Sequence, residues 1–131
     1  MFVIKNKLRT TSHIAFYLWV IGMIALTILS LLPPGNEPSL AGLVNDKIRH
    51  FTAYAILALI ACHAGRNWPE RFILCLISLM LSITIEFLQP LTGRDFEVLD
   101  IVANMSGILA GMGMMTFLLR RRLRRRLSPR N

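Results

Sequence analysis

Residues 14–32 read IAFYLWVIGMIALTILSLL, nineteen positions without a charge. A helix of that length, at about 1.5 Å per residue, covers the roughly 30 Å hydrocarbon core of a bilayer. Inside hydrocarbon a segment must satisfy its own backbone polar groups, so a run like this has little choice but to be helical. Three more apolar runs follow at 48–64, 71–89 and 101–119. In a chain of 131 residues they leave no room for a separate soluble domain. The expectation is an all-α membrane protein, a single domain over 1–131 built as a four-helix transmembrane bundle, with a basic tail at 120–131. Only 17% of the residues are charged, against roughly a quarter in soluble domains. The second run is the least apolar, because Arg49 and His50 stand at its start.

The first run follows Lys5, Lys7 and Arg9, as a secretion signal would, but it exceeds the 7–15 apolar residues of a signal core. It ends in Leu-Leu-Pro-Pro-Gly rather than in a small-residue cleavage site, so it reads as a retained helix stopped by Pro33 and Pro34. The distribution of basic residues sets the orientation. Of the 15 Lys and Arg, all but Lys47, Arg49 and Arg94 fall in the amino-terminal segment, the connection around Arg66 and Arg71, or the tail. Both termini and that short connection are therefore expected on the cytoplasmic side, with the loops at 33–47 and 90–99 outside. The tail, LLRRRLRRRLSPR, has no aromatic residue to stack on bases, and it directly follows a spanning run. It reads as a topology anchor that touches anionic lipid, not as a nucleic-acid-binding segment.

The polar residues inside the runs repeat at helical spacing. Ser78, Ser82, Glu86 and Gln89 share one face of the third helix. Asp46, His50, Tyr54, Ala58 and Ala61 share one of the second, and Asp100, Asn104, Gly107 and Gly111 one of the fourth. With alternating helix directions, the charged members of all three stripes lie at one depth, near the outer ends. Arg94 sits in the connection between two of them. An ionisable group such as Glu86 is expensive in lipid and reads as functional. The expectation is an outward-facing polar pocket of Asp46, Lys47, His50, Tyr54, Glu86, Gln89, Arg94, Asp100 and Asn104, with His50 and Arg94 as partners of Glu86 and Asn104 or Tyr54 donating to it. Below it, the small residues let backbones approach closely. Cys62 and Cys75 lack metal-ligand spacing and read as packing residues.

Three of these motifs together resemble the VanZ-like family: D-K-x-x-H-x-x-x-Y at 46–54, E-x-x-Q at 86–89 with an arginine soon after, and D-x-x-x-N-x-x-G at 100–107. Its members are small integral membrane proteins named for a determinant of resistance to the glycopeptide teicoplanin. The resemblance implies a four-helix bundle in the bacterial inner membrane and raises an effect on glycopeptide susceptibility as an expectation. The long arginine tail departs from the pattern.

Three functions fit the pocket. In the first, it binds an outer-leaflet lipid or a lipid-linked cell-wall precursor, with Arg94, Lys47 and His50 on phosphate and Asn104, Gln89 and Tyr54 on hydroxyls or amides. In the second, it is an enzyme acting on a lipid phosphate or ester, using His50, Glu86 and Asp100 for proton transfer or a divalent metal held by Asp46, His50, Glu86 and Asp100. No serine or cysteine stands among these residues as a nucleophile. In the third, the polar residues only staple helices, singly or in an oligomer.

Overall fold

A computed structural model describes residues 2–33 and 46–127, with side chains over 12–33 and 46–125. Residues 34–45, expected as an outer loop, lie outside the described residues, as do the side chains of Lys5, Lys7, Arg9, Arg126 and Arg130. Among the described residues the structure is all-helical, with α1 over Phe2–Ser30, α2 over Asp46–Ala64, α3 over Trp68–Leu88 and α4 over Val98–Leu127.

Three stretches are long and apolar enough to cross a membrane: Ser12–Ser30, Trp68–Thr92 and Val98–Arg125. They present large apolar side chains outward, among them Ile21, Phe72, Met80, Leu109 and Phe117, as a protein solvated by lipid tails does and a soluble one rarely does. α2 is too polar at its start to belong with them. Its surroundings explain why that is tolerated: α2 packs against α1, α3 and α4, so much of it meets protein instead of lipid. Tyr54, Leu57, Ala58, Ala61 and Cys62 on α2 are buried against Trp19, Cys75, Ile108 and Met115 from the other three helices.

The α2–α4 contact is the tightest, and two glycines make it possible. A Cβ on Gly107 would collide with the carbonyl oxygen of Phe51, and one on Gly111 would meet Ala55 O at 2.5 Å and Ala58 Cβ at 2.8 Å. Without side chains at these positions the two backbones approach directly. Cys62 and Cys75 are both free and buried, with sulfurs 3.9 Å apart.

The connections fix the register. Asn67 caps α3 by accepting from the Glu70 N–H at 2.9 Å, while the Glu70 carboxylate accepts from the Arg66 N–H at 2.8 Å. Asn67 thereby satisfies one of the donors that a helix start leaves free. At the other end of α3, a 3-10 turn over Gln89–Thr92 runs into Gly93, whose φ of 82° is the left-handed conformation that favours glycine. The N–H groups of Gly93 and Arg94 then return to Pro90 O and Gln89 O. The reversal places the start of α4 beside the end of α3. Neighbouring helices consequently run in alternating directions, with Ser12 donating to Ala64 O at one end of the molecule and Gln89 Nε2 donating to Ser30 O at 3.4 Å at the other.

Candidate functional site

At the end where α2 and α4 begin and α3 finishes, five of the chain's seven acidic side chains gather: Asp46, Glu86, Asp95, Glu97 and Asp100. The chain carries a net charge of +8, yet this end holds more acid than base. A cavity of about 210 Å³ opens here, lined by Asp46, Gln89, Gly93, Arg94, Asp95, Glu97 and Asp100. Asp46 and Asp100 start their helices, where a carboxylate meets the positive end of the helix dipole.

His50 stands at the centre of the group. Its Nδ1 lies 3.0 Å from Asn104 Oδ1, and Asn104 Nδ2 donates to Ser82 Oγ at 2.8 Å in a buried bond. Since the amide nitrogen is committed to Ser82, its oxygen faces His50, and Nδ1–H is the donor. The other ring nitrogen, Nε2, stands 3.7 Å from Asp46 Oδ2 and 3.5 Å from Asp100 Oδ2. The second oxygen of each carboxylate is occupied by a basic side chain. Asp100 Oδ1 pairs with Lys47, which also pairs with Glu97, and Asp46 Oδ1 pairs with Arg49. Burial alone would lower the Lys47 pKa, but hydrogen bonds and charges from Asp100 and Glu97 raise it to about 12. Burial likewise pushes the Asp46 carboxyl up, and the charges of His50, Arg49 and Arg94 outweigh it and hold the group below its ordinary value.

Glu86 is fully buried, and neither of its carboxylate oxygens has a hydrogen-bond partner. The backbone N–H of Glu97 approaches it, and the nearby charges are Asp100, Lys47 and Asp46. Of the partners expected from the sequence, His50 is engaged with Asn104 and the two aspartates and the Asn104 amide with Ser82, while Arg94 lines the cavity above. The Tyr54 hydroxyl is also directed at Ser82. A further expectation changes. Lys47, expected to meet a phosphate, is neutralised by Glu97 and Asp100. Glu97, in the connection before α4, is half-exposed and pairs with Lys47.

All nine residues expected in the pocket lie at this end: Lys47 is held by Glu97 and Asp100, and the other eight form two layers. Asp46, Gln89, Arg94 and Asp100 line the open cavity. Tyr54, Glu86 and Asn104 are buried beneath it, and His50 links the layers. Ser82 was read from the sequence as a staple, and it is the hub through which Asn104 and Tyr54 meet. Its signal was its place on the Glu86 stripe. Deeper still, Trp19 Nε1 donates to Ser78 Oγ at 3.0 Å, a bond that ties α1 to α3. Among the described residues, Asp46, His50 and Asp100 are the group able to hold a metal ion, with donor atoms within 4.8 Å of one another. Glu86, included in that set from the sequence, is not part of it.

An all-helical protein with membrane-crossing helices and a charged, partly buried network at one end is the class this geometry defines. The chain belongs to the VanZ/LLP1 family, whose model matches residues 9–120 and so takes in every residue of the site. No curated protein and no solved structure matches it.

Proposed function

We propose that the cavity at the α2–α4 mouth binds the polar head of an outer-leaflet lipid or of a lipid-linked cell-envelope precursor. Residues 48–64 of α2 serve as a fourth span in the bacterial inner membrane, with Asp46 and Lys47 outside it, and both termini face the cytoplasm because the basic residues concentrate at their end. The observation that carries this reading is the mixed charge of the lining: Arg94 beside Asp46, Asp95, Glu97 and Asp100 in one cavity. Arg94 offers a bidentate contact to phosphate. The carboxylates and Gln89 accept from hydroxyl, amide or ammonium groups. A purely structural network has no need of an open, charged mouth, and the stapling role fits the Ser78–Trp19 and Ser82–Asn104 bonds beneath it. An altered susceptibility to teicoplanin follows from this reading if the captured head belongs to a cell-wall intermediate.

The test is lipid co-purification. Lipids extracted from the purified protein are identified by mass spectrometry beside those from Arg94→Ala. A specific phospholipid or lipid-linked species, lost in the variant while its helix content is unchanged, is the expected result. Equal lipid content in the two proteins contradicts the reading.

A further inference from the structure

The centre of the site gathers three potential ligand atoms within 4.8 Å of one another. Nδ1–H of His50 is committed to Asn104 Oδ1, so Nε2 is the ring nitrogen left to face Asp46 Oδ2 and Asp100 Oδ2. Two carboxylate oxygens and a ring nitrogen gathered at one point call for positive charge there, carried by a proton on Nε2 or by a bound cation. Lys47 and Arg49 pair with the opposite, Oδ1, side of each carboxylate. Two atoms bound to a common ion at about 2.0–2.2 Å stand about 3–3.5 Å apart in tetrahedral or octahedral geometry. The 3.5 Å and 3.7 Å separations are within a few tenths of that range. A second, independent observation is Glu86, wholly buried with both carboxylate oxygens unpartnered and with Asp100 as its foremost charged neighbour. A buried carboxyl without partners beside Asp100 leaves polar atoms at this end unsatisfied.

We infer that His50 Nε2, Asp46 Oδ2 and Asp100 Oδ2 form a binding site for a divalent transition-metal ion. One imidazole with two carboxylates suits Mn²⁺ or Zn²⁺ better than Ca²⁺ or Mg²⁺, which favour all-oxygen shells. Asn104, Lys47 and Arg49 are the positioning residues. Asn104 fixes the tautomer that frees Nε2, and the two basic side chains hold each aspartate by one oxygen so that the other points inward. Asp46 and Asp100 also line the open cavity, so the ion has a route in and one face toward any bound group. An ion there explains how a mouth rich in carboxylates receives a phosphate. The site itself stands apart from the head-group reading, because it is built from residues of this chain alone.

The test uses metal alone. The purified full-length protein in detergent is stripped with chelator and titrated with Mn²⁺ at neutral pH, with the free ion read by electron paramagnetic resonance. One Mn²⁺ per chain, displaced by Zn²⁺, is expected. Binding is expected to disappear in His50→Ala and Asp46→Asn, and to weaken about 10- to 100-fold in Asn104→Ala. Asp46 lies at the half-buried lip, so its variant keeps the fold even if loss of His50 does not; circular dichroism checks both. Two results overturn the site: no saturable Mn²⁺ or Zn²⁺ binding, with nitrogen NMR showing a doubly protonated His50 ring unaffected by metal; or binding that survives in Asp46→Asn and Asn104→Ala. Equal lipid content in wild type and Arg94→Ala, with intact Mn²⁺ binding, would reject the head-group reading and leave the metal site standing. The reverse result would do the opposite.

Discussion

Glu86 concentrates the energetic tension of the molecule at a single residue. A carboxylate taken out of water without hydrogen bonds costs stability, and replacing a buried unpaired charge by a neutral isostere recovers some of it. Glu86→Gln is accordingly expected to unfold at higher SDS fraction than the wild type, by about 1–3 kcal/mol, and an unchanged or lower midpoint counts against the unpartnered carboxylate. Asn104 has the opposite role. Its side chain joins His50 on α2 to Ser82 on α3, and interhelical hydrogen bonds in membranes average about 0.6 kcal/mol each. Losing both in Asn104→Ala should lower stability by about 1 kcal/mol in the same titration. The sequence revealed these residues but not their pairing. Spacing of three and four puts Ser78, Ser82, Glu86 and Gln89 on one face, and all four are buried. Partner choice turns on ångström-scale differences in helix rotation and rotamer, which no spacing encodes. The Lys47–Glu97 pair depends on the path of a loop, and that path is set by the left-handed Gly93.

At the scale of elements, the central contact is α2 on α4, and its glycines make a sharp prediction. Gly107→Ala places a methyl group against the Phe51 carbonyl, and overpacking of this kind typically costs about 1–3 kcal/mol. Gly113, on the same helix, has nothing within 4 Å of its Cβ position. Gly113→Ala should be neutral or stabilising by up to about 1 kcal/mol through helix propensity. Equal effects of the two substitutions, measured by SDS unfolding, contradict the close approach. Hydropathy located all four helices but not their ends. α1 starts at Phe2 instead of near residue 14, and α4 continues to Leu127 instead of stopping near 119. Apolar composition marks where lipid ends, whereas lysine and arginine are good helix formers and let a helix run on.

The whole molecule is electrically polarised. The end carrying Ser12, Arg71 and Arg122 is basic, and the opposite end holds the acidic network. Ion pairs at that second end give stability a plateau in pH. The Asp46 pKa is lowered in the folded protein, so its contribution is present above its unfolded value of 3.8 and is lost as pH falls through the folded value. The Lys47 pKa is raised from 10.5 to about 12, so its contribution is full below 10.5 and disappears as pH rises through about 12. Thermal stability in detergent should therefore fall at both extremes, and Lys47→Met should flatten the alkaline limb. The sequence made the polarity visible through the placement of arginine and lysine, while which end faces outward rests on the positive-inside rule. The measurement that decides it is cysteine labelling of spheroplasts with a membrane-impermeant maleimide, in a chain whose Cys62 and Cys75 are replaced by alanine. Asp95→Cys, at the cavity mouth, is expected to label in intact spheroplasts, and Arg122→Cys only after permeabilisation. Labelling of Arg122→Cys from outside, with Asp95→Cys protected, would turn the cavity toward the cytoplasm and contradict capture of an outer-leaflet head group.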